Sequence, residues 1–161
     1  MDPNGCRETL ATLLAQETGS LETLAALLER EHGHLVANDV VALEAAMAER
    51  QICVGALVRV EEERRSLCRM HGQSGDLPGL ERLLAWCDPS GSLKSRWAQC
   101  AARGARCREL NDRNGALVNA RLKRVETLLG VITGRRQEGQ TYGPAGAYGT
   151  RSAGRVLTVE A

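Results

Sequence analysis

The chain has 161 residues, a formal net charge of +1 and 25% charged residues, the size of one ordinary domain. It contains no Phe, two Trp and two Tyr, which excludes an aromatic-rich globular core. Apolar surface must come from Leu, Val, Ala and Met, and that suits helix packed on helix. A membrane span needs roughly 18 or more consecutive apolar residues. No such run occurs, and no charged-then-apolar leader opens the chain, so a soluble, unexported protein with no stable membrane insertion is expected.

Taken in chain order, residues 1–5 carry no helical signal, and a first long helix is expected near 7–35. Leu10, Leu14, Leu21, Leu28 and Leu35 mark its seven-residue repeat, and Leu13, Leu24 and Leu27 widen the stripe. Glu17 and Glu31 fall on the other phase of that seam, where a dry core would reject them. The seam must therefore be partly wet or face arginines. Asn38-Asp39 supplies a turn and an N-cap for a second helix over 40–71. Its expected stripe is Val40, Leu43, Met47, Val54, Leu57, Leu67 and Cys68, with Glu61-Glu62-Glu63-Arg64-Arg65 as an exposed charged section. A short helix follows near 79–87, with Leu80, Leu83, Leu84 and Cys87 on one face. Asp88-Pro89-Ser90-Gly91 breaks it, and Ser92 is placed to cap the next helix.

The stretch 92–133 organises the rest. Trp97, Gly104, Asn111, Val118, Val125 and Ile132 share one heptad phase; Leu93, Cys100, Cys107, Asn114, Arg121 and Leu128 share the other. Strands repeat every two residues and cannot give this pattern. A single amphipathic helix of roughly 60 Å results, antiparallel to the second. Two amides, Asn111 and Asn114, sit on its seam, expected partly buried and hydrogen-bonded to a neighbouring helix. Gly104 and Gly115 predict a close helix approach or a local bend. Leu117, Val118, Val125, Leu128, Leu129, Val131 and Ile132 spread apolar side chains over more than one face. A single neighbour covers only one face, so part of this surface is expected to be left for a partner; the first helix or a second copy covering it all is the plain alternative.

The architecture is thus all-α: an antiparallel bundle or helical hairpin of three long helices and one short one over 1–134. Residues 135–161, with five glycines and one proline, read as a flexible tail. Charge is uneven. Residues 1–38 hold six acids and two arginines, while 92–136 hold three acids and eleven bases, so an acidic helix beside a basic one is the simplest use. The cysteines coincide mostly with apolar helical positions and form no C-x-x-C pair, which indicates reduced core thiols and a cytosolic compartment rather than a metal site. No catalytic constellation, phosphate loop or cofactor motif can be assembled, and an enzyme is not expected. Two other classes share these features: a generic coiled-coil scaffold, and a nucleic-acid binder using Arg103, Arg106, Arg108, Arg113, Arg121, Lys123 and Arg124 on phosphates. Against the latter, stacking aromatics are lacking and the acidic first helix offers an internal partner.

Set side by side, these pieces resemble the FlgN family of flagellar export chaperones. The leucine-rich first helix, the Asn-Asp turn into Val-Val-Ala-Leu-Glu, and the Glu-Glu-Glu-Arg-Arg-Ser-Leu segment all fit. Asn111-Asp112-Arg113-Asn114-Gly115-Ala116-Leu117-Val118 is similar to that family's N-x-x-N-G element, and Thr141-Tyr142-Gly143-Pro144-Ala145-Gly146 to its short Tyr-Gly segment. The resemblance implies a cytosolic protein that holds the C-terminal helical segments of hook–filament junction proteins, prevents their premature assembly and hands them to the export apparatus. It also implies that Tyr142 meets a component of the export gate.

Overall fold

The computed structural model describes residues 2–134. Four helices follow one another: α1 (Pro3–Ala37), α2 (Val40–Met70), α3 (Leu77–Cys87) and α4 (Ser92–Ile132), with no strand among the described residues. The chain divides into a unit spanning Met1–Arg124 and a second beginning at Val125. The expected tail over 135–161 lies outside the described residues.

Local chemistry sets the helix ends. The first five residues are not the helix-free leader expected: α1 starts at Pro3 because Asp2 caps it, accepting from Gly5 N–H at 2.6 Å. Proline at the first helical position has its φ already set and lacks an N–H that would have no partner there. Asn38 ends α1 in the left-handed region at φ 60°, and Asp39 caps α2 by accepting from Ala42 N–H at 3.0 Å. Asp76 caps α3 through Gly79 N–H. Gly79 must be glycine, since a Cβ there would lie 1.9 Å from the Ser74 carbonyl oxygen. The cap of α4 is Asp88 rather than Ser92. Its Oδ2 accepts from Leu93 N–H at 2.6 Å, and the Ser92 hydroxyl is itself a donor to Asp88.

Cross-helix pairs define the directions within the first unit. Glu17 with Arg64 and Glu49 with Arg30 run α1 antiparallel to α2. Arg64 with Trp97 and Arg50 with Asn111 run α2 antiparallel to α4. Glu22 with Arg103, Glu29 with Arg113 and the Val36 carbonyl with Arg121 then run α4 parallel to α1. The acidic helix does lie beside the basic one. The pairs of Arg30, Arg103 and Arg113 are largely solvated and contribute little each, so their effect is on alignment more than on stability, whereas Glu17 with Arg64 is mostly enclosed.

Two apolar clusters fill the unit. One gathers Cys6, Leu10 and Leu13 with Leu67, Cys68 and the α3 leucines; the other joins Leu14, Leu21 and Leu28 to Cys100, Cys107 and Leu110. All six cysteines are free and buried. Burial pushes their thiols up, Cys6 to about 12, where its neighbour Cys87 adds to the effect. Cys53 and Cys107 each donate Sγ–H to a carbonyl of α1, those of Ser20 and Leu21.

On α2 the buried stripe is Ala46, Cys53, Val60 and Leu67. The expected members Val40, Met47 and Val54 are 58%, 45% and 36% exposed. The stripe is displaced by one residue because Arg50 and Arg64 occupy its second phase with Leu57. A reading of apolar residue types alone passes over arginines. The same fact corrects the charged section: Glu62, Glu63 and Arg65 are exposed, but the Arg64 side chain turns inward and is 17% exposed.

Candidate functional site

The two glutamates that a dry seam would reject are met by the two arginines. Arg64 Nη1 lies 2.6 Å from Glu17 Oε2, and its guanidinium stacks over Trp97 at 4.4 Å from the ring centre. Cation and aromatic face attract, and the ring shields the pair from water. Two heptads away, Arg50 Nε lies 3.2 Å from Glu31 Oε1 while Nη1 donates to Asn111 Oδ1 at 3.3 Å. Glu31 is 3% exposed, and its Oε1 accepts no hydrogen bond, so this contact is one of charge alone. Burial raises the Glu31 carboxyl above the ordinary carboxylate range, and Arg50 opposes that rise.

The seam amides have different surroundings. Asn114 is 5% exposed; its Nδ2 donates to the Leu28 carbonyl at 2.8 Å, and its Oδ1 lies 3.0 Å from His32 Nδ1. Asn111 is exposed rather than partly buried, and Arg50 is its partner. Asn114 points at α1, while Asn111, about 60° round the helix, lies on the flank that Arg50 reaches from α2. Gly104 and Gly115 show no close approach: a Cβ at either would have nothing within 4 Å. The close approach is absent where the long arginines Arg50 and Arg64 span from α2 to α4.

Further along α4, in the first unit, Leu117 is half-buried, Val118 is 39% exposed and Leu122 is 56% exposed. In the second unit Val125, Leu128 and Leu129 are 52–54% exposed, and Val131 and Ile132 reach 75% and 79%. Leu122 escaped the sequence reading, although it stands four residues after Val118 and three before Val125, the spacing of one helical face. Tyr142 lies outside the described residues. Among the described residues, no group of three His, Cys, Asp or Glu side chains is arranged to hold a metal, and no helix is long and apolar enough to cross a membrane. Of the α4 bases, Arg103, Arg106 and Arg113 face glutamates of α1, and Arg121 binds the α1–α2 turn through Val36 O and Asn38 Oδ1.

Long helices, short connections and exposed aliphatic side chains along the end of α4 define an all-helical protein. The chain belongs to the FlgN family: the family model described as FlgN protein matches residues 1–150. It is accordingly a flagellar export chaperone, of a cytoplasmic chaperone family. No curated protein and no solved structure matches it.

Proposed function

We propose that the apolar end of α4 holds the C-terminal helical segments of hook–filament junction proteins in the cytoplasm, keeping them from assembling before export. One observation carries the reading: Val125, Leu128, Leu129, Val131 and Ile132 are all more than half exposed on a helix. Five large aliphatic side chains in water are costly to a protein with no use for them. Such client segments are amphipathic helices that polymerise once assembled, and they present a matching apolar face in the cytosol. Helix-in-helix docking buries both faces. Each Å² removed from water contributes about 25 cal/mol, against the entropy of ordering the client. The balance favours moderate, reversible affinity, which hand-over to an export gate requires. In this reading Tyr142 contacts the gate component, supported by its place in the family-like Thr-Tyr-Gly-Pro segment.

Titration with a junction-protein C-terminal segment tests the proposal. Val125→Glu with Leu129→Glu is expected to abolish binding with helix content unchanged, and unchanged affinity would remove the site. Tyr142→Ala is expected to leave client binding intact and weaken binding to the gate component by about 1–3 kcal/mol. Loss of both together would place Tyr142 on the client instead.

A further inference from the structure

Two arginines bridge the space between α2 and α4 in the first unit. Arg64 reaches Trp97, and Arg50 reaches Asn111. The arginines stand two heptads apart on α2, and their partners stand two heptads apart on α4. The bridges therefore frame a window about 21 Å long on each helix. At its middle, Leu57 packs on the core and forms a floor. On the α4 side, Gly104 leaves open space where a side chain would be.

The α2 edge of this window is apolar except at Glu61, one turn beyond Val58, which is matched by Arg65 at 2.6 Å. Met47 and Val54 lie one turn before and after Arg50, hence on the flank that Arg50 uses to reach α4, and Val58 continues the row. They are 45%, 36% and 49% exposed. The α4 edge is small and nearly uncharged: Ala101, Gly104, Asn111 and Gly115, with Arg108 as its charge. The bridging arginines are matched already by Glu17 and Glu31. In a chain with 25% charged residues, an open channel with so little unmatched charge is not an ordinary solvated face.

We infer that this α2–α4 channel receives an amphipathic helix of the client, three to four turns long and uncharged on its docking face. The inference rests on the chaperone reading and adds a second surface for the same client. Val118, seven residues beyond Asn111, carries the channel's apolar edge onward along α4. A second copy of the chain fits less well, because its own apolar α4 end would bring Lys123 and Arg124 beside Arg108. Among the described residues of the channel, a basic peptide finds no unmatched counter-charge and an acidic one finds Arg108 alone.

The test uses the full chain and a junction-protein C-terminal segment followed by calorimetry. Val54→Glu with Val58→Glu should weaken binding about tenfold or more, with melting temperature nearly unchanged because both side chains are half-exposed. A photo-crosslinker at position 58 should capture the segment, and one at Ile52, on the opposite flank of α2, should not; this arm stands even where the double variant misfolds. Undiminished affinity in Val54→Glu/Val58→Glu, beside loss of binding in Val125→Glu/Leu129→Glu, would overturn the channel and leave the functional reading standing. Capture at 52 instead of 58 would also overturn it. A change from dimer to monomer in sedimentation, with client affinity unchanged, would show a self-interface and overturn it. No binding by the wild type would remove the functional reading and the channel with it.

Discussion

The first half of α4 and its last turns carry the same apolar repeat with opposite outcomes. Leu93, Cys100, Cys107, Leu110 and Asn114 are each no more than 5% exposed, whereas Val125 to Ile132 expose every aliphatic residue by half or more. Residue size runs the wrong way for folding alone. The covered stretch mixes two cysteines and an amide with only two leucines, and the uncovered one uses leucine, valine and isoleucine. Selection for stability would place the large aliphatic groups under cover, since burying one fully contributes about 1.5–3 kcal/mol. Their placement in water supports the proposed client surface.

The largest effect should separate the two stretches directly. Leu110→Ala is expected to cost about 2–5 kcal/mol in denaturant unfolding, with a cavity left in the cluster around Leu28. Leu129→Ala should change stability by no more than about 0.5 kcal/mol. Equal losses would mean that the end of α4 is covered within the protein itself.

Glycines give the next contrast. Gly79→Ala drives a methyl group into the Ser74 carbonyl and should destabilise by about 1–3 kcal/mol. Gly104→Ala meets open space in a helix interior and should stabilise by about 0.5–1 kcal/mol. A destabilised Gly104→Ala would show that α2 and α4 approach more closely than the arginine bridges allow.

The smallest effect concerns Glu31, at the polar end of the covered stretch. Burial holds its carboxyl above the ordinary range, so the folded protein binds this proton more tightly than the unfolded chain does. The residue's contribution to stability then falls as pH rises from the ordinary carboxylate range through the raised value, and is constant above it. Glu31→Gln resembles the protonated form. It should match wild type at acidic pH and be the more stable protein at neutral pH. Glu29, Glu49, Asp76 and Asp88 are shifted downward by their hydrogen bonds, so their contributions are lost as pH falls instead. Parallel stability curves for wild type and Glu31→Gln would mean that Arg50 offsets burial in full and leaves the carboxyl unshifted.

Much of the fold was legible because long helices repeat their pattern many times. Leu14, Leu21 and Leu28 announced the buried face of α1, and the glutamates on its seam announced that cations must face them. Which cations was not legible: Arg64 sat within a run of charges that reads as solvated surface. The α2 stripe slipped by one residue for a related reason, since Ala46 and Cys53 look weaker than Met47 and Val54. No close neighbour faces the glycines of α4: a missing side chain signals equally a close neighbour or an empty groove, and only three-dimensional spacing tells them apart. Leu122 was passed over although its spacing matched. The exposed end of α4 could be read as apolar on several sides, but exposure itself is a property of neighbours.

Hydrogen exchange of the chain, alone and with a junction-protein C-terminal segment, tests most directly whether the end of α4 exists to be covered. Free protein should protect the amides of 93–114 strongly and those of 122–132 weakly. Client binding should raise protection over 122–132 and leave 93–114, already covered, almost unchanged. Strong protection of 122–132 in the free protein, or no gain there when the client is bound, would contradict the account.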